Sequence, residues 1–81
     1  MTYGENLRRA RNPMPDDVRD ALISRGLKEA YDARPAYQRN DYLGWIDRAK
    51  RRDTRERRLA QMLDELERGD VYMNMDWTSQ P

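Results

Sequence analysis

Asp53-Thr54-Arg55-Glu56-Arg57-Arg58-Leu59-Ala60-Gln61-Met62-Leu63-Asp64-Glu65-Leu66-Glu67-Arg68-Gly69 reads as one amphipathic helix with both ends marked. Leu59, Met62, Leu63 and Leu66 recur at i, i+3, i+4 and i+7, which puts them on one face. Asp53 and Glu56 stand at capping-box spacing: Asp53 is placed to accept an N–H of the first turn, and Glu56 to reach back to the Asp53 N–H. Asp64 and Arg68 are spaced for an i, i+4 ion pair. Gly69 supplies a left-handed stop.

Upstream, Tyr42, Trp45, Ile46 and Ala49 form a second helical stripe, widened by Leu43, which predicts a helix over about residues 37–50. The short connection Arg51 to Asp53 predicts an antiparallel helical hairpin. Pro35 stops a short helical segment, Leu27 to Arg34, in which Leu27, Ala30 and Tyr31 share a face. Before it, Pro15 opens a first helix, Asp16 and Asp17 favour its positive end, and Val18, Ala21, Leu22 and Arg25 follow. Gly26 ends that helix as a left-handed cap. Asn12-Pro13-Met14-Pro15 interrupts any preceding structure, so residues 1–13 read as a flexible arm.

Downstream the period changes. Val71, Met73, Met75 and Trp77 alternate with mostly polar residues in a strand-like pattern, yet no other segment reads as a strand. Residues 71–81 are therefore expected to form an extended tail lying on the helices. The fold class is all-α, a small bundle of three to four short helices over residues 14–70. Its core is expected to hold Val18, Leu22, Leu27, Tyr31, Tyr42, Trp45, Ile46, Leu59, Met62, Leu63 and Leu66.

Composition narrows the chemistry. The 81 residues include no cysteine and no histidine, which removes disulfides, thiolate zinc sites and the commonest metal ligand. Charged residues are 38% of the chain, but the net charge is only +1, unlike the high net charge usual in disordered chains. No apolar run approaches the roughly 18 residues of a membrane span. The N-terminal stretch lacks the apolar segment of a secretory signal, so the expected location is the cytoplasm. Asp16-Asp17 and Asp64-Glu65 are adjacent helix positions pointing apart, which does not suit paired acid–base work. There is no glycine-rich phosphate loop and no nucleophile–base pair. The expectation is a chain that is not an enzyme and takes no cofactor.

Two features remain as candidate contact surfaces. The segment 48–58 holds seven cations and two acids, net +5, so against a whole-chain charge of +1 the remainder carries −4. Arg48, Lys50, Arg51, Arg52, Arg55 and Arg58 are its candidate partner-binding residues. The plain alternative is a solvated turn whose arginines pair with nearby acids or cover apolar surface with their stems. The tail supplies Tyr72, Met73, Met75 and Trp77, a set suited either to docking on a partner or to packing across its own bundle.

Tyr42-Leu43-Gly44-Trp45-Ile46, Ala49-Lys50, Thr54-Arg55, Arg57-Arg58, Leu66 and Gly69 together resemble the signature of the YdeI/OmpD-associated, or bacteriocin-protection, family. Met14-Pro15-Asp16-Asp17 with Ala21-Leu22 is similar to the start of the same domain, so the resemblance covers about residues 14–69. It implies a small helical domain of bacterial origin, one that follows a larger N-terminal domain in many members. It also implies a role in protection against bacteriocins or antimicrobial peptides, with no assigned catalytic residue. The leading functional expectation is a non-enzymatic interaction module whose partner is another protein. The alternative is nucleic-acid binding through residues 48–58, with affinity falling steeply as salt rises.

Overall fold

Four helices and one short hairpin account for residues 12–78, the part of the chain that the computed structural model describes. The helices are α1 (Asp16–Ser24), α2 (Lys28–Asp32), α3 (Ala36–Asp47) and α4 (Arg52–Arg68). Two strands follow, β1 (Val71–Tyr72) and β2 (Met75–Asp76), paired antiparallel with Val71 opposite Asp76 and Tyr72 opposite Met75. The fold is therefore mostly helical but not purely so. Among the described residues no helix is long and apolar enough to cross a membrane.

Local chemistry sets the helix ends. Gly26 takes φ +69°, the Leu27 N–H reaches the Leu22 carbonyl at 2.8 Å, and the Gly26 N–H reaches Ile23 at 3.0 Å. That is the two-bond Schellman ending, and Leu22 and Leu27 meet in the core beneath it. Gly69 closes α4 at φ +81°. The N-terminus of α4 differs from the capping box that its sequence suggests. The helix starts at Arg52, two residues early, so Asp53 lies inside the first turn and takes the Arg51 guanidinium instead, at 3.3 Å. Asp64 and Arg68 are both exposed and form no ion pair.

Helices α3 and α4 run antiparallel, since contacts step back along α3 as they advance along α4. Ile46 meets Arg55, Trp45 meets Arg58, and Tyr42 meets Glu65. Helix α1 is tied to α4 at both ends, by Arg55–Asp17 at 3.0 Å and Arg25–Glu67 at 3.1 Å. Nine of the eleven residues expected in the core are buried. Trp45 and Leu59 are half-buried and pack against the core from its edge, while Leu43, Val71 and Tyr72 join it.

The tail is the main departure. It folds back on itself at Met73-Asn74, where φ is +51° and +66°. Positive φ at both central residues marks a type I′ hairpin turn, whose twist suits antiparallel strands. The alternation Val71, Met73, Met75, Trp77 is thus broken by the turn, and the residues that enter the core are the neighbours Val71 and Tyr72. Tyr72 stands edge-on to Tyr42 at 5.4 Å and to Tyr37 at 6.0 Å, and donates its hydroxyl to Asp41 at 2.8 Å. The arm expected over residues 1–13 falls mostly outside the described residues. Asn12, at its end, is anchored, because its backbone N–H and side-chain amide both bond to Asn40. Gly44 makes that crossing possible, since a Cβ there would lie 2.9 Å from Asn12 Nδ2.

Truncation after Asp70 removes two core residues, so the remaining helices are expected to lose stability rather than stand alone. Burying one such aromatic side chain contributes about 2–3 kcal/mol, and a change of that size moves the melting temperature of a domain this small by roughly 10 °C or more. Circular dichroism melts of the full and truncated chains check this, and coincident melts would return the hairpin to the status of a free tail.

Candidate functional site

The joint between α3 and α4 gathers most of the cations singled out in the sequence, and it divides them into two sets. The last carbonyls of α3 have no partner within the helix. Arg58 Nη1 donates to the Trp45 carbonyl at 2.7 Å, and Arg55 Nη1 to the Ile46 carbonyl at 3.5 Å. Arg55 also grips Asp17 through two parallel bonds, Nε to Oδ2 at 3.2 Å and Nη2 to Oδ1 at 3.0 Å, and reaches Asp47 at 3.5 Å. This fork pulls the Asp17 carboxyl below its ordinary pKa. Arg51 is paired with Asp53. Arg55 and Arg58 are thus structural clamps, as the plain reading of the segment anticipates.

Arg48, Lys50, Arg52 and Arg57 form the second set. All four are exposed, and none is paired with a carboxylate among the described residues. Arg57 also lines an open cleft of about 290 Å³, together with Trp45 of α3 and Thr54, Arg58 and Gln61 of α4. Thr54, Arg57, Arg58 and Gln61 share one helical face at i, i+3, i+4 and i+7. The Arg58 guanidinium lies 5.3 Å from the centre of the Trp45 ring. Sequence reasoning assigned Trp45 to the core and left Thr54 and Gln61 unassigned.

The tail residues do not join this surface. Tyr72 is buried, and Met73 sits half-buried in the turn. The Trp77 ring is half-buried with the Arg34 guanidinium 4.5 Å from its centre. Met75, 58% exposed, is the one member of the four that faces solvent freely.

Beneath the hairpin lies a polar network that the sequence reading missed. Glu65, Gln38 and Arg34 are all buried. Glu65 Oε1 accepts from the Tyr42 hydroxyl at 2.5 Å and from the Met73 N–H at 2.8 Å. Its Oε2 accepts from the Asn74 N–H at 2.9 Å and from Gln61 Nε2 at 3.0 Å. Arg34 donates to Gln38 and to the Glu65 backbone carbonyl, both at 3.0 Å. The one signal available was a carboxylate at position 65, on the flank of the apolar face of α4 and one turn after Gln61. Among the described residues no group of three or more acidic side chains gathers in a way that would hold a metal.

Burial pushes the Glu65 carboxyl up in pKa, but bonds from Tyr42, Asn74, Met73 and Gln61 outweigh it and hold the group below its ordinary value. Burial, and then the Glu65 contact, push the Tyr42 hydroxyl far up. Glu65 and Asp17 both titrate lower in the folded chain than in the unfolded one. The unfolded chain therefore binds more protons as the medium acidifies. The stability they contribute is complete above the ordinary carboxylate range and is lost as pH falls through their folded values. Glu65→Gln is expected to destabilise by about 2–4 kcal/mol at neutral pH, because an amide NH₂ must face buried donors. It is also expected to flatten the acid limb of a stability–pH curve. Urea melts across pH check both, and an unchanged acid limb in the variant would contradict the role given to Glu65.

Comparison with curated proteins and with solved structures returned no match. Residues 13–69 match the model of one family, described as bacteriocin-protection, YdeI or OmpD-associated. The match spans the four helices and stops at the glycine that ends α4, just before the hairpin. The joint of Trp45, Thr54, Arg55 and Arg58 lies wholly inside it, and on that match the chain belongs to the bacteriocin-protection, YdeI or OmpD-associated family.

Proposed function

We propose that this domain is a non-enzymatic docking module that holds an acidic segment of a partner protein in the cytoplasm. The observation that carries the reading is the division of the cations at the α3–α4 joint. Arg55 and Arg58 are engaged internally, while Arg48, Lys50, Arg52 and Arg57 face solvent without carboxylate partners among the described residues. Exposed charge of one sign steers and orients a partner of the opposite sign. The link to bacteriocin or antimicrobial-peptide stress rests on the family's description, and in this reading the docking contact is the molecular step behind that protection.

A protein partner is favoured over nucleic acid by the surroundings of Trp45. The one aromatic ring at the joint, Trp45, is half-buried with Arg58 against it, which does not leave a free stacking platform for bases.

Titration with a capped octaglutamate peptide, followed by amide-resolved NMR, tests this against a duplex DNA of mixed sequence. Shifts on residues 48–58 are expected with the peptide at physiological salt. Affinity should fall roughly tenfold in the Arg48→Ala, Lys50→Ala, Arg52→Ala triple variant. DNA-induced shifts should vanish with salt. Persistent DNA binding without peptide binding would replace the proposal with the nucleic-acid reading.

A further inference from the structure

We infer that the cleft beside Trp45 is an anchoring pocket for one glutamate or aspartate side chain of the partner segment. This inference rests on the docking reading above and specifies where its register is fixed. Openness decides first. Small-molecule sites span about 300–1,000 Å³ and enclose most of their ligand. At about 290 Å³ this cleft stands at the bottom of that range and is open to solvent, so a side chain carried by a partner suits it better than a free cofactor or metabolite.

The lining decides the chemistry. Arg57 has no carboxylate partner among the described residues, and Arg58 uses Nη1 on the Trp45 carbonyl, its other donors making no hydrogen bond among the described residues. Thr54 adds a hydroxyl three residues before Arg57 on the same helical face. Two guanidinium groups and a hydroxyl around one opening select a carboxylate, to which arginine donates in parallel pairs. The half-buried Trp45 ring supplies an apolar wall for the methylene groups that carry it. Arg58 is already fixed by the Trp45 carbonyl and ring, so little order is lost when a ligand arrives. Arg48, Lys50 and Arg52 then attract the rest of the acidic segment without fixing its position.

The test is the same capped octaglutamate titration, read at the Trp45 indole N–H and the Thr54 and Gln61 amides. Saturable shifts are expected there, with affinity falling about tenfold in Arg57→Ala and several-fold in Thr54→Val. Arg57 is exposed and Thr54 only half-buried, so both variants are expected to melt with the parent. Arg57→Lys keeps the charge but loses the fork, and should restore affinity only partly. Shifts at residues 48, 50 and 52 with none at Trp45, Thr54 and Gln61 would overturn the pocket and leave the docking surface standing. The absence of shifts anywhere would overturn both. Equal shifts at Trp45 with duplex DNA of matched charge at physiological salt would overturn the assignment to an acidic side chain.

Discussion

The carboxylate of Glu65 ties α3, α4 and the hairpin together at one point. A carboxylate offers about four lone-pair sites, and all four are engaged: one by α3 through Tyr42, one by α4 through Gln61, and two by the hairpin turn at Met73 and Asn74. The turn depends on it most. Met73 takes a left-handed conformation that costs an L-residue roughly 1–2 kcal/mol, and turns of this type usually place Asn-Gly or Asp-Gly there. Two charge-assisted bonds to successive amides offset that cost. Arg34, a buried cation in the same network, bonds to the Glu65 backbone and faces Trp77, so the hairpin is fixed on a second side.

A second economy of polar groups operates at the other end of α3. A helix that ends inside a small domain leaves carbonyls that need donors, and α4 supplies them from its first two turns. Arg55 and Arg58, one turn apart, reach the carbonyls of Ile46 and Trp45. Arg55 continues to Asp17 and brings α1 into the same joint. The arginine-rich segment is thus two populations with different work. One is turned inward and fixes three helices, and the other faces water.

Most of the helical framework was legible in the sequence because its signals are local. The apolar stripe of α4, the Gly26 and Gly69 stops and the punctuation by Pro15 and Pro35 each act within one or two turns. What was not legible depends on groups far apart in the chain. Met73-Asn74 carries only half a turn signature, that of Asn74, and the partner that stabilises the pair lies eight and nine residues back at Glu65. The capping box failed because α4 begins at Arg52, where Arg51 engages the Asp53 carboxylate. At the site, the basic character of residues 48–58 was visible, but which arginines face inward was not. That division is set by where α3 presents its carbonyls. Trp45 lay on the apolar stripe and read as core, whereas it sits at the edge of the core with one wall on the cleft.

The account turns on that division of the cations, and thermal unfolding of single alanine variants tests it most directly. Arg55→Ala and Arg58→Ala should each lower the melting temperature by several degrees, because Arg58→Ala removes the donor to the Trp45 carbonyl and Arg55→Ala removes the two-bond grip on Asp17 that ties α1 to α4. Lys50→Ala, Arg52→Ala and Arg57→Ala should melt within a degree or two of the parent. Equal losses across both groups, or none in either, would contradict the separation of clamp from contact surface.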